Sequence, residues 1–549
     1  MPKYIIIGGV AGGATAAARL RRLDEHSRII IFERGEHISY ANCGLPYYIG
    51  GIIADREDLL LQTPESFRKR FNIDVRVNSE VIFIDRNKKT VEVKDTLFGK
   101  TYAESYDKLI LSPGAKPIIP SVKGLCSERV FSLRDITDAD KIKNFIENMN
   151  PKSAAIVGGG FIGIEMAENL KAVGLDVSII EISDHVIPML DNDIACDVRH
   201  HLEQHGISLY LSNRLQSITL QDNRLNIELL NGFINADMLV LATGVRPESQ
   251  LAKDAGLALN EYGSIITNKQ MQTSDPDIFA IGDAVEVMNF VTGHTCMMPL
   301  AGSANKQGRI AADNICGIYN EYAGTQGSTI IKVFDMVVAS TGICEKTARL
   351  YNLNYDKVFL WHTGHASYFP GSRPMSIKTV FEKDSGKILG AQIAGFDGVD
   401  KRCDVLAVAI RAGMTAKDLT ALELCYSPPY SSAKDPINMV GYVIDNTLTG
   451  KVKNYHWHDI KSLPRDGSVT LLDVRYVEEA LLAPIEGFRN IPLDSLRGCI
   501  KNLDRTKPIY ILCYSGARSY IAARILSQNG FDVYNLSGGY RLIRSLNLL

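Results

Sequence analysis

The sequence predicts an α/β protein of several domains, on three observations. A strand, a glycine turn, a helix and a second strand run through KYIIIGG, VAGGATAAARLRRL and RIIIFERG, and the same order returns at SAAIVGGGFIGIEMAENLKAVG and DVSIIEIS. This is an internal repeat of two βαβ openings. From about residue 330 to 446 the pattern changes to mixed strands and helices, as in an α+β domain. After the polar, turn-rich stretch TLTGKVKNYHWHDIKSLPRDGS, a short αβ run begins again at SVTLLDVR.

A chain of 549 residues is too long for one core and suggests three or four domains. Its formal net charge of -2 offers no global attraction to nucleic acid or an acidic membrane, so neither is expected as a partner. The apolar run at the N-terminus breaks into glycines before it reaches the length of a signal segment or a membrane span, and the protein is read as cytoplasmic. Ten cysteines without a CxxC pair argue for reduced thiols rather than a disulfide framework.

The second βαβ opening carries Gly158, Gly160 and Gly163 in GxGxxG spacing between a strand and a helix, where backbone can approach a pyrophosphate and the helix N-terminus can face its charge. Glu181 ends the following strand. A carboxylate there accepts from a ribose 2'-OH and repels a 2'-phosphate, which favours NADH and leaves NADPH as the alternative. The first opening is less regular: Gly8 and Gly13 hold the outer positions, Gly9 and Gly12 stand beside them, and Val10 occupies the middle. Glu33 supplies its ribose carboxylate. Two such sites imply two dinucleotides.

TSDPDIFAIGDAVE resembles the second FAD-binding motif of the two-dinucleotide flavoprotein reductases, and ATG, ending at Gly244, resembles their connecting motif. The resemblance implies that the first unit binds FAD, with Asp283 on the ribityl chain and Ala284 beside it, and that the second, inserted unit binds the nicotinamide. The expected domains are a discontinuous FAD domain at 1–150 and 245–325, an NAD(P)H domain at 151–244, an α+β domain at 326–446 and a linker at 447–456.

SYANCGLPY sets Cys43 among turn formers, with Tyr48 five residues on where a dithiol enzyme has its second cysteine. Within this fold the stretch looks like the single-cysteine motif of the coenzyme A disulfide reductases, over roughly residues 1 to 445. A lone thiolate can attack a substrate disulfide or persulfide and keep one half as a mixed disulfide, so the substrate's own sulfur replaces the missing second cysteine. In place of the His-Glu pair of the dithiol enzymes stand ELCYSPPYSSAKDP and HASYFPG. The resemblance implies Tyr426 and Tyr368, with Tyr430 beside them, contributed across a homodimer through the 326–446 domain. A phenol with a pKa near 10 donates a proton or hydrogen bond at neutral pH, although interface packing explains such tyrosines equally well.

Coenzyme A carries a 3'-phosphate and a pyrophosphate, so its site needs local cations. Arg19, Arg21 and Arg22 form one candidate cluster, and Arg68, Lys69 and Arg70 another. The resemblance adds Ser39, Asn42, Gln62, Phe67, Asn305 and Arg309 as contacts.

CYSGARS follows the strand PIYIL and opens a helix. It resembles the active loop of single-domain rhodaneses, a likeness that covers about residues 457 to 545 of an expected domain at 457–549, with DVR at 473 to 475 and LSGGY at 536 to 540 as further landmarks. Backbone N–H groups, the helix dipole and Arg518 are expected to stabilise a thiolate or anion at Cys513. Rhodaneses share this architecture with dual-specificity phosphatases, whose loop is one residue longer, and the six-residue loop here fits a sulfane sulfur better than a phosphate. RHHLEQH, with His200, His201 and His205, lies in a polar helical pattern and is read as a solvated face; no metal site is expected. The other eight cysteines are read as structural.

The full fold class is therefore α/β, with two Rossmann-like dinucleotide-binding domains, an α+β dimerisation domain and a C-terminal α/β rhodanese domain. The resemblance now runs end to end and implies an NADH-dependent reductase of coenzyme A persulfide, polysulfide or related disulfides that releases hydrogen sulfide or thiol. A bound coenzyme A arm is a candidate carrier between the two sulfurs. The alternatives are coenzyme A disulfide reduction for thiol homeostasis, an NADH oxidase or peroxidase cycling through a sulfenic acid, and a redox-sensing interaction protein.

Overall fold

The computed structural model describes residues 1–548 and divides into two compact units, Met1–Asp184 with Gly206–Gly327, and His185–His205 with Ser328 onward. In the first unit, the strands Lys3–Ile7, Arg28–Phe32 and Lys108–Leu111 are nearly continuous runs of isoleucine and leucine, as befits parallel strands covered on both faces. They form a five-stranded parallel sheet in the order 278–280, 108–111, 3–7, 28–32, 74–76. A second parallel sheet runs 208–210, 176–180, 153–157, 238–241, 130–132. Each is accompanied by a three-stranded antiparallel sheet, at 79–105 and at 215–236. The repeated βαβ grammar thus yields two sheets of like order, each with a glycine turn at the carboxyl end of its central strand.

The second unit holds an antiparallel sheet ordered 329–333, 336–342, 388–395, 374–382, 355–363, and a parallel sheet ordered 453–455, 533–536, 509–512, 470–473, 489–490. The two are joined by hydrogen bonds: Phe359 N donates to Ser537 Oγ (3.0 Å), and Trp361 Nε1 donates to the Gly538 carbonyl (2.9 Å). Arg541 lies 3.7 Å above the Trp361 ring.

Residues 185–205 fall within the span expected for the nicotinamide domain but pack with the second unit. The cause is a buried ionic cluster. Lys378 reaches Asp191 (3.1 Å), Asp193 (2.8 Å) and Glu345 (2.9 Å), and Lys357 also pairs with Glu345. These cations hold Glu345 far below the ordinary carboxylate range despite burial, and the three carboxylates keep Lys378 charged. Such a cluster tolerates no missing partner, which fixes the helix Asn192–Gln204 on the 374–382 strand. No helix among the described residues is long and apolar enough to cross a membrane.

Candidate active sites

Two glycine motifs show why each glycine is needed. A Cβ on Gly13 or Gly163 would stand 1.9 Å from the carbonyl oxygen of Gly8 or Gly158, so helix and strand close only without one. Gly8 and Gly158 take positive φ at the same turns. Gly160 differs: a Cβ there would meet nothing within 4 Å, so protein packing gives no reason for it, whereas a pyrophosphate entering that space does. The carboxylates behind the motifs are set alike. Glu33 accepts from the N–H groups of Gly9 and Gly35 (3.0 Å each), and Glu181 accepts from those of Gly159 (2.6 Å) and Ser183 (2.8 Å).

At the flavin-type unit, Gly12 lies in the first turn of the helix Ala11–Leu23, which packs on the helix Ala301–Ile315. Asp283 and the buried Ala284 occupy a 3-10 turn after the strand Ile278–Ala280. The Asp283 carboxylate makes no hydrogen bond among the described residues, and burial raises its pKa. An orphaned, part-buried carboxylate at a strand end fits a hydroxyl-bearing chain such as the ribityl of FAD. Gly244 takes φ +91 where the chain returns between the two sheets.

Cys43 sits in the 3-10 turn Asn42–Gly44, capped by the short helix Leu45–Ile49, and its side chain is exposed. Surrounding atoms, then Glu165 and Asp283, push its thiol above the ordinary cysteine range. Those two carboxylates come from the helix after the second glycine motif and from the flavin-type unit, so Cys43 stands where the two dinucleotide units converge. Glu165 is itself raised to about 6, chiefly by burial, and accepts from Tyr47 Oη at 3.3 Å. Neither Glu165 nor Tyr47 was singled out in the sequence; a carboxylate two residues after the last glycine of GxGxxG was the available signal.

The proposed coenzyme A contacts divide. Arg22 and Arg70 are exposed, and Gln62 is partly so. Ser39 takes φ +46 with its N–H on the Gly9 carbonyl. Asn42, in the amide orientation that satisfies both ends, donates to the Tyr40 carbonyl (3.2 Å) and accepts from Arg134 (3.0 Å). Arg19 is bound to Asp313 (2.7 Å), Arg309 approaches the same carboxylate, and Asn305 accepts from Thr15. Two expectations are corrected. Phe67 is a core residue, 2 % exposed with its ring tilted against that of Phe71, because it is the apolar residue with which the helix Pro64–Phe71 seals the sheet edge. Arg21 is buried, with its guanidinium spent on the carbonyls of Asp24, Glu25, Phe71 and Asn72.

In the second unit, Tyr368 and Tyr426 are exposed and share a hydrogen bond of 3.1 Å between their hydroxyls; Tyr430 is exposed nearby in sequence. Cys513 directly follows the strand Ile509–Leu512 and is fully buried. Its sulfur accepts from Gly516 N (3.1 Å) and Ser519 Oγ (3.3 Å). The LSGGY segment braces the loop from behind: Tyr540 N donates to the Cys513 carbonyl (2.8 Å) and Arg541 N to that of Tyr514 (2.9 Å). Arg475, in the DVR landmark, is buried against Asp473 and lies 4.1 Å from the Tyr540 ring. Arg518 does not point to the sulfur as expected. Its guanidinium makes a two-pronged pair with Glu479 (2.6 and 2.9 Å) beneath Tyr476, so one backbone N–H and the Ser519 hydroxyl do the holding.

All ten cysteines are free, and Cys126 and Cys425 are exposed rather than packed in a core. The histidine-bearing helix is not a solvated face either. His201 is buried, and burial together with His205 pushes it below the ordinary histidine range.

Two glycine-turn sheets meeting at an exposed thiol define a dinucleotide-dependent thiol-redox enzyme. The chain belongs to the pyridine nucleotide-disulphide oxidoreductase family, whose model matches residues 2–308; its dimerisation domain matches 328–436 and a rhodanese-like domain matches 456–545. It is 38% identical over 444 residues to a coenzyme A disulfide reductase of Staphylococcus epidermidis, which covers 80% of this chain and 99% of that protein. Two solved structures match nearly end to end. The reduced Bacillus anthracis CoADR-RHD shares 49% identity at a TM-score of 0.97, covering 99% of this chain and 98% of that one. An NAD-dependent persulfide reductase from A. fulgidus shares 37% at 0.92, covering 98% and 99%.

Proposed function

We propose that this enzyme uses NADH to reduce coenzyme A persulfide, and related polysulfide or disulfide species, with the rhodanese-like domain handling sulfane sulfur. The observation that carries this reading is the pair of differently built cysteines: an exposed thiol at the junction of the dinucleotide units, and a buried sulfur in a braced loop. The end-to-end likeness to both a CoADR-RHD and a persulfide reductase supports joining reductase and rhodanese-like chemistry in one chain, and coenzyme A disulfide reduction fits the same likeness.

In this proposal FAD occupies the 1–150 and 245–325 domain, with Gly8, Gly9, Gly12, Gly13, Glu33, Asp283 and Ala284 around it. NADH occupies 151–244 through Gly158, Gly160, Gly163 and Glu181, and residues 326–446 pair two chains. When bound, FAD supplies the route for an electron pair from NADH to the cysteine disulfide. Cys43 thiolate attacks the coenzyme A sulfur of the persulfide; the S–S bond breaks, hydrosulfide leaves, and a mixed disulfide of Cys43 with coenzyme A remains. Two electrons then return both sulfurs to thiolates, and NAD+ and one proton are released. Tyr368 and Tyr426 of the partner chain donate hydrogen bonds to the leaving thiolate, and the exposed Arg22, Arg70 and Gln62 bind phosphate and adenine ends of coenzyme A.

The test is anaerobic NADH consumption and sulfide release with coenzyme A persulfide beside coenzyme A disulfide. Sulfide release that disappears in Cys43→Ser supports the proposal. Turnover of the disulfide alone supports thiol homeostasis instead, and consumption of oxygen or peroxide alone supports an oxidase.

A further inference from the structure

The helix Asn192–Gln204 ends beside the tight turn that joins the strands Thr329–Val333 and Met336–Gly342. Three groups with lone pairs meet there. His201 and His205 stand one helical turn apart, Asp335 lies in the turn, and one ligand atom from each falls within 4.8 Å of the others. We propose that His201, His205 and Asp335 form a binding site for a first-row divalent transition cation, zinc being the best match, and that the bound ion clips the helix to the hairpin.

The arrangement around His201 is the reason to expect an ion. Its side chain is 8 % exposed, and its Nε2 lies 2.9 Å from Asp335 Oδ1, yet the two make no hydrogen bond. The carboxylate lies beside the axis of this buried ring nitrogen rather than on it, so each keeps a lone pair that a shared cation would take up. His205 is prepared in the same sense. Its Nδ1 sits 2.8 Å from the His201 carbonyl, which can only accept, so Nδ1 carries the proton and Nε2 keeps its lone pair. The other oxygen of Asp335 takes a hydrogen bond from Arg373 (2.7 Å), an outer contact that orients the carboxylate. Phe334, held at φ +55, stacks on His205 at 4.0 Å, and Phe396 lies edge-on to His201 at 5.7 Å, so one side of the site is walled by rings.

The donor set chooses the metal. Two imidazoles and one carboxylate suit zinc and its transition neighbours, whereas calcium and magnesium prefer oxygen cages. Bonds of about 2 Å in a tetrahedral site place ligand atoms about 3.3 Å apart, so the 2.9 Å between His201 Nε2 and Asp335 Oδ1 opens slightly while wider separations, within 4.8 Å, close, and a water completes the fourth position.

The test uses the full-length flavoprotein, stripped with chelator and titrated with Co(II) and then Zn(II). One equivalent of Co(II) is expected, with the visible bands of nitrogen and oxygen ligation and no thiolate-to-cobalt charge-transfer band, and Zn(II) should displace it. His205→Ala and Asp335→Asn should each weaken binding at least about ten-fold while the flavin spectrum and far-UV circular dichroism stay unchanged. His201 is left intact because its burial would confound folding with binding. Absence of stoichiometric binding overturns the proposal, as does unchanged affinity in both variants, which would assign the metal to the exposed thiols. Neither outcome depends on which sulfur compound the reductase consumes.

Discussion

Cys43 stands exposed in a short turn, its pKa raised by the atoms packed around it and then by Glu165 and Asp283, whereas Cys513 is buried, with the Gly516 amide and the Ser519 hydroxyl converging on its sulfur. The first site spends little structure on its thiol and surrounds it with space and dinucleotide-type turns. The second spends a whole loop, braced by Tyr540 and Arg541, on fixing one atom. Open access suits a sulfur that must take a large disulfide or persulfide and then give up its partner to a two-electron reduction. A cradle suits a sulfur that carries a single sulfane atom without reduction.

If that contrast is correct, the two thiols separate cleanly. Cys43→Ser should lower NADH-dependent reduction of coenzyme A persulfide and disulfide by at least about a thousand-fold and leave thiosulfate sulfurtransfer intact; Cys513→Ser should do the reverse. A shared loss in either variant would break the comparison. The next effect in size belongs to the cradle. Gly516 takes φ +93, which costs another residue about 1–3 kcal/mol, so Gly516→Ala should slow sulfurtransfer by about ten-fold or more without touching NADH oxidation. Ser519→Ala, removing one donor, should cost about two- to ten-fold in the same assay.

The frame of both sites was legible because it rests on short-range rules. Glycine spacing, flanking isoleucine strands and the acidic residue after the second strand placed Gly158, Gly163, Glu33 and Glu181, and PIYIL before CYSGARS placed Cys513. What escaped depends on partners distant in sequence. Glu479 meets Arg518 across thirty-nine residues, and neither local stretch reveals that the arginine is taken. The helix Asn192–Gln204 reads as polar, yet Asp193 is buried because Lys378 lies under it. Arg21 belongs to a charge run, and a charged helix face and a buried seam look alike until the packing side is known; Phe67 rests on the family resemblance, which does not say on which side its helix packs.

Glu165 offers a finer test of the open site. Its charge is one of the two that raise Cys43, so Glu165→Gln should let the thiol ionise at lower pH. Iodoacetamide alkylation of Cys43, followed against pH, should shift its rise downward and run a few-fold faster near neutrality. An unmoved profile would leave burial and Asp283 as the causes. Because burial raises Glu165 to about 6, the difference between wild type and variant should shrink below that pH as the carboxyl is neutralised.

The smallest expected effect lies at the braced site. Arg518 holds Glu479 below the ordinary carboxylate range, so their pair is intact above that range and contributes no titration near neutral pH. The pair is partly exposed, and breaking it should cost at most about 1 kcal/mol of stability. Glu479→Gln frees the guanidinium to turn toward the loop, where an anionic sulfur donor enters, and the KM for thiosulfate should fall about two- to five-fold with little change in kcat. A rise in KM would instead mean that Glu479 already holds Arg518 in its working position, and the braced loop would then extend to the helix Val477–Leu482.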